Sequence, residues 1–221
     1  MAVSRYFYNI QHVILFVISL FASFYINAEQ TSTPPKKTLI IYFSQPEKID
    51  LKDTDGFSGA SVLVKNNNVL GSTQYIAQII QQQTKGDLFR IETVKDYPAQ
   101  HDPLVQYAEK EQQANIHPEL KAKVQNLADY DRIFIGYPIW WYKMPMALYS
   151  FLEQHDLSGK TVIPFSTHGG SRFSGSVAEI TRLQPKAHVI DQGITISRDD
   201  VADEDTETDV IEWLNDLPVT K

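Results

Sequence analysis

Residues 131–142, DRIFIGYPIWWY, constrain the fold more than any other stretch. Ile133, Phe134 and Ile135 form a short β-branched and aromatic run, bounded by Asp131 and Arg132 on one side and Gly136 on the other. A strand covered on both faces of a parallel sheet reads this way. Pro138 follows, then Ile139, Trp140, Trp141 and Tyr142, before Pro145 reopens a helical pattern. Two adjacent Trp in a loop need a reason, since each carries on the order of 200 Å² of mostly apolar surface and loops run over the outside. Either the rings plug the end of the core, as aromatic side chains often do, or they wall a flat ligand. Their place beyond the carboxyl end of a buried strand, where open α/β sheets bind ligands, supports the wall.

The rest of the chain arranges itself around that strand. Residues 38–43, TLIIYF, are a first buried strand, broken by Ser44, Gln45 and Pro46. A polar stretch follows, with a strand-like patch at residues 60–64. Gly71, Ser72 and Thr73 then open a helix whose Ile76, Ile79 and Ile80 fall at i, i+3 and i+4, with Ser72 as the expected N-cap. Gly86 ends it, and residues 88–92 read as a weaker strand at an edge. Leu104, Tyr107 and Ala108, then Leu120, Val124 and Leu127, predict two helical pieces broken near residues 115–118. Beyond the aromatic loop come a helix from Pro145, a strand at 161–165, a helix at 175–183, a strand at 188–196 with Gly193 marking a bulge, and a closing helix at 204–217. Strand and helix alternate about five times, which predicts an α/β, doubly wound three-layer sandwich on a parallel sheet.

A chain of 221 residues that is 43% hydrophobic suffices for one such domain. Its formal net charge of −7 does not support a nucleic-acid partner. The absence of cysteine excludes disulfides, thiolate metal sites, a Cys nucleophile and a lipidated Cys. At the amino end, Arg5 is the only charge before Glu29, and residues 13–26 are almost wholly apolar. Residues 1–28 therefore read as a secretory signal peptide ending at Ala28, residues 29–37 as a polar linker, and residues 38–221 as the domain. The expected location is secreted or periplasmic. The alternative is an uncleaved membrane anchor, although the apolar run is shorter than the ~20 residues that span a bilayer.

Three loops fall at the carboxyl ends of the central strands, where such a sheet gathers them into one crevice. The first carries the hydroxyls of Ser44, Ser72 and Thr73 into a helix amino terminus, whose N–H groups and dipole favour a phosphate. No Lys stands beside it, so it is not a nucleoside-triphosphate loop. The second is the aromatic one, and the third, from Ser166 through Thr167, His168, Gly169 and Gly170 to Ser171, lets backbone N–H groups approach a ligand edge. Phosphate donors, an aromatic face and backbone donors together suit FMN. His168 is either a hydrogen-bonding or proton-carrying imidazole at that ligand or a loop residue facing solvent.

The segments YFSQ…GSTQYIA, DLFRIETVKDYP, DRIFIGYPIWWYKMPMALYSFLE and GKTVIPFSTHGGS, in this order, resemble the flavodoxin-like family, in particular a branch with YPxWW and THGGS loops. The resemblance covers residues 38–217. It implies a five-stranded sheet of order 2-1-3-4-5, FMN as cofactor and a redox function. It also implies that Ser44, Gln45, Ser72 and Thr73 hold the phosphate, that Pro138, Ile139, Trp140, Trp141 and Tyr142 flank the isoalloxazine, and that Thr167, His168, Gly169, Gly170 and Ser171 line one of its edges. Two features depart from the family. A long insertion separates Pro46 from Gly71, and residues 137–143 contain no Gly whose peptide could turn toward reduced flavin. The resulting expectation is an exported FMN protein passing electrons to a redox partner protein or a small acceptor. Two alternatives stand beside it: an FMN-dependent NAD(P)H quinone or nitro-compound reductase, and a flavin-free binding domain. With no Lys or Arg in the third loop before Arg172, little positive charge is expected at the ring, Lys143 being the exception.

Overall fold

The computed structural model describes residues 37–46, 62–65 and 68–218. The expected signal peptide, residues 29–36 of the linker and residues 47–61 of the insertion lie outside the described residues. In chain order the elements are β1 (Lys37–Tyr42), β2 (Val62–Lys65), β3 (Asn68–Gly71), α1 (Ser72–Thr84), β4 (Asp87–Arg90) and α2 (His101–Gln113). Then come β5 (Tyr130–Pro138), α3 (Met146–Gln154), β6 (Thr161–His168), α4 (Ser176–Leu183), β7 (His188–Val189), β8 (Ile194–Ser197) and α5 (Thr206–Asp216). Among the described residues no helix is long and apolar enough to cross a membrane.

The main sheet runs β4-β1-β5-β6-β7, with β8 also paired to β6, and every pairing in it is parallel. Counted along the chain, its strands follow the expected order 2-1-3-4-5, except that the fifth position is shared by two short segments. The break has a local cause. Thr161 pairs with His188, but Phe165 pairs with Ile194, so two extra residues enter the outer strand between them. Pro164 of β6 has no N–H to offer at that point. Its carbonyl lies so close to Gly193 that a Cβ there would stand 2.3 Å away. The expected bulge at Gly193 is thus a full interruption facing a proline. β2 and β3 form a separate antiparallel hairpin that leads directly into α1.

Alternation along the strands builds two apolar layers. Ile133, Ile135 and Tyr137 of β5 join Leu39 and Ile41 of β1 under α3, whose Ala147, Leu148, Phe151 and Leu152 are buried. Phe134 joins Ile40, Tyr42 and Phe165 on the other face, under Ile76 and Ile80 of α1 and Val210 and Leu214 of α5. Gly136 is required in β5 because the Phe165 ring occupies its side-chain space, with a Cβ falling 2.0 Å from Cζ.

Three expectations need correction. Leu120, Val124 and Leu127 belong to no α-helix. The chain there pairs sideways, Val94 N–H to Glu119 O and Lys121 N–H to Glu92 O, and ends in a 3-10 turn at Leu127–Asp129. Tyr137 and Pro138, and likewise Ser166, Thr167 and His168, are strand residues, because β5 and β6 remain paired through Pro138 and Thr167. Ser72 is the first residue of α1, and Gly71 holds the cap position.

Candidate functional site at the carboxyl edge of the sheet

A cleft of about 590 Å³ opens beyond the carboxyl ends of β5 and β6. One side is formed by Pro138, Ile139, Trp140, Trp141 and Tyr142, the other by Thr167, His168, Gly169, Gly170 and Ser171. All ten residues assigned from sequence to the ring of a flat ligand therefore share one cavity. Ile139 N–H donates to Thr167 O at 2.9 Å and joins the two sides at their base.

The aromatic side is a tight turn. Trp140 and Lys143 exchange two backbone hydrogen bonds of 3.0 Å, and the residues between them, Trp141 and Tyr142, have φ of 48° and 60°. Two left-handed central residues define a type I′ turn, which normally uses Asn and Gly. Here both positions carry bulky aromatic side chains, at a cost of about 1–2 kcal/mol each. The turn separates the two tryptophans, which the sequence alone left equivalent. Trp140 points inward and packs edge-on against Phe43 and Tyr97, with ring centroids at 5.4 and 5.5 Å. Trp141 is 44% exposed and Tyr142 73% exposed at the tip. Trp140 is packed as a plug would be, while Trp141 is left exposed at the edge of the cleft.

Helix α2 holds the turn in place. Gln112 Nε2 donates to Trp140 O at 2.7 Å, and Trp141 Nε1 donates to Val105 O at 3.0 Å. His101, Leu104, Val105 and Ala108 of α2 complete this side of the cleft. Below lies a buried polar pair, in which Tyr97 OH donates to Glu111 Oε2 at 2.7 Å. Burial pushes the Tyr97 phenol far above its ordinary range and raises the Glu111 carboxyl as well. Glu111 Oε1 is buried without a hydrogen-bond partner.

The glycine side is held by backbone. Arg198 N–H extends the β6–β8 ladder to His168 O at 2.8 Å, and Gly170 N–H donates to His168 Nδ1 at 2.9 Å. With Nδ1 accepting, the neutral ring is assigned its proton on Nε2. Burial lowers the His168 pKa, the positive charge of Arg172 lowers it further, and Asp200 opposes them. Gly170, at φ 106°, has open space where a Cβ would stand.

The four residues assigned to a phosphate do not line this cleft. Ser44, Ser72 and Thr73 are buried beneath it, and Gln45 lines a separate hollow with Arg90 and Asp96. Thr73 connects the two levels, since its Oγ1 lies 2.8 Å from the Oγ1 of Thr167. One of these hydroxyls donates to the other, which keeps its own hydrogen for a third group. Ser44, rather than Ser72, does the work of a cap. Its Oγ accepts from Gln74 N–H at 3.4 Å and fills the space beside Gly71, where a Cβ would come within 1.9 Å of it. Among the described residues Ser72 Oγ is left without a hydrogen-bond partner, buried at the amino end of α1.

Sequence reasoning missed Arg198 and the α2 residues. Arg198 lies 29 positions beyond Gly169 yet borders the same cleft, its guanidinium Cζ 3.4 Å from where a Cβ on Gly169 would stand. The available signal was its place just past the fifth strand. The carboxyl end of that strand belongs to the same edge of the sheet as the third loop.

Known proteins share this architecture. A protein assigned as a flavoprotein from Bacteroides uniformis is 27% identical, with a TM-score of 0.62 over 81% of this chain and 98% of its own. One from Bacteroides eggerthii is also 27% identical, with a TM-score of 0.59 over 81% and 96%. A flavoprotein from Lactobacillus acidophilus, solved in complex with FMN, has 21% identity and a TM-score of 0.53 over 81% and 99%, a likeness of fold. Comparison with curated proteins finds no match. Residues 61–217 match the family Flavodoxin_4, described as flavodoxin, and the chain belongs to that family.

Proposed function

We propose that this chain binds FMN non-covalently and serves in electron transfer, as an exported protein. The observation that carries the reading is the Ser72 hydroxyl, buried and unpartnered at the amino end of α1. An unpaired buried hydroxyl costs about 1–3 kcal/mol. An anion removes that cost while facing a helix amino terminus, whose dipole favours negative charge. Ser72 and Thr73 would hold the phosphate, the aromatic turn would lie along the ring, and residues 167–171 would offer backbone N–H groups to its edge. Bound there, the flavin supplies reversible electron chemistry. The chain positions it, shields it from water and sets the charge around it. The FMN complex of the Lactobacillus protein supports the choice of cofactor.

A flavin-free domain is the second reading, favoured by the burial of Ser44, Ser72 and Thr73, each 3% exposed or less. A visible absorption spectrum of protein from its native compartment separates the two, since the FMN reading expects the yellow chromophore. Thr73→Ala should weaken FMN binding by about 1–2 kcal/mol and leave the weaker binding of riboflavin nearly unchanged. Equal affinity for FMN and riboflavin would overturn the phosphate assignment. Steady-state NAD(P)H oxidation with a quinone or nitro compound by the purified protein alone would make it a reductase instead of a carrier. Export expects an amino terminus near Glu29, read by mass spectrometry. An intact Met1 chain in the membrane fraction would establish an anchor.

A further inference from the structure

Resting on that cofactor reading, we propose that Arg198 is the residue that favours the reduced, anionic form of FMN over the oxidised form. It borders the cleft, and its guanidinium lies against Gly169 of the glycine side.

The cleft is unlike the rest of this acidic chain. The chain has net charge −7, yet among the described residues no carboxylate lines the cleft, and Arg198 is the one Lys or Arg side chain there. The two imidazoles in the lining are His101 and His168. Burial and the nearby Arg172 favour the uncharged form of His168, so among the described residues Arg198 is the fixed positive charge of the cavity. The ion-pair partner of Arg198 is Asp199, 3.7 Å away with a side chain 80% exposed, and a pair of this kind neutralises little. Arg172 and Asp200 act on the charge of His168 in opposite senses, and Lys143 closes the aromatic turn through its backbone bonds to Trp140.

The position is built by the sheet. The Arg198 backbone is tied to His168 O, which fixes where its side chain leaves β8, and the chain at 169 has no side chain to push it away. Two electrons from a low-potential reductant and one proton from solvent convert oxidised flavin into an anion whose charge spreads over the N1 and C2 carbonyl region. A guanidinium in the same partly enclosed cavity is attracted to that charge and not to the neutral oxidised ring. The residue therefore acts on the difference between two redox states of the ligand.

The test uses the purified chain with FMN, Arg198→Gln and Arg198→Lys. Oxidised-FMN affinity is measured by fluorescence titration, and the two-electron midpoint by dithionite titration against a reference dye across pH. Arg198→Gln should melt at the wild-type temperature and lose more affinity for reduced than for oxidised FMN. It should prefer the reduced form about tenfold less, which lowers the midpoint by about 30 mV. The pH at which uptake changes from two protons to one per electron pair should rise by about one unit. Arg198→Lys should retain most of the wild-type values, and added salt should lower the wild-type midpoint toward that of Arg198→Gln. FMN binding with an unchanged midpoint and unchanged pH break in Arg198→Gln overturns this inference alone. Failure of the wild-type chain to bind FMN overturns it together with the cofactor reading.

Discussion

The two sides of the cleft solve one problem by different means. The aromatic side is held by side chains: Trp140 wedged between Phe43 and Tyr97, Gln112 on its carbonyl, and Trp141 clasped to Val105. The glycine side is held by main chain, through the continuing ladder at Arg198 and the Gly170 amide on His168. A wall built of side chains stores its geometry in packing and is costly to mutate. A wall built of backbone tolerates substitution and answers instead to charge and protonation.

The largest expected effect is on the base of the aromatic side. Trp140→Ala should lower apoprotein stability by about 3 kcal/mol, as large-to-small changes in packed sites do, measured by urea denaturation. Trp141→Ala should change apoprotein stability far less, because the ring is 44% exposed. Equal losses from both would erase the distinction between plug and wall. At the tip, replacing Trp141 with Asn and Tyr142 with Gly gives the turn the residues its geometry prefers. The double variant should gain about 1 kcal/mol after the lost Val105 bond is counted, while FMN affinity in fluorescence titration falls. A gain in stability without loss of affinity would show that the strained aromatics serve no ligand.

Beneath the aromatic side, burial raises the Glu111 pKa. A raised carboxyl contributes its stability below the unfolded-state value and loses it as pH rises through the folded-state value. Glu111→Gln should therefore be neutral or slightly destabilising near pH 4 and stabilising by about 1 kcal/mol near pH 8, read from denaturation at the two pH values. On the glycine side the sign is opposite. Burial holds the His168 pKa below the imidazole norm of about 6.5, so its contribution is present above that norm and is lost as pH falls toward the folded-state value. His168→Gln should flatten part of the acid-side decline. Among the variants this should be the smallest change, since the group is partly solvated and the buried His155, also with a lowered pKa, carries its own share.

The layered fold was legible because its strands are nearly pure apolar runs. Residues 133–135 could only be a buried strand, and Ile76, Ile79 and Ile80 could only be one helical face. The helix expected at Leu120, Val124 and Leu127 failed because spacing cannot register that Glu92, Val94 and His155 take up the backbone there. That residues 138–142 and 167–171 share one cleft was legible since each lies in a short segment next to a strand end. The difference between Trp140 and Trp141 was not, because it depends on two φ angles and on α2, which arrives from far away in sequence. Ser44 as the cap of α1 was hidden for the same reason, being 30 residues from the amide it serves.

The split fifth strand also bears on how much free backbone the sheet presents at its border. A long, flat outer strand offers a row of free amides and carbonyls to any neighbour, which is a common route to aggregation. Here that border is cut between Val189 and Ile194 by residues 190–193, which bear the exposed Asp191 and Gln192, with the Gln192 carbonyl already occupied by the Trp213 indole. The opposite border, β4, is four residues long and ends in exposed Asp87 and Arg90. Among the described residues, neither rim of the main sheet offers a long, plain outer strand. The irregularity at Pro164 and Gly193 thus shortens the free border of the sheet as well as breaking the ladder.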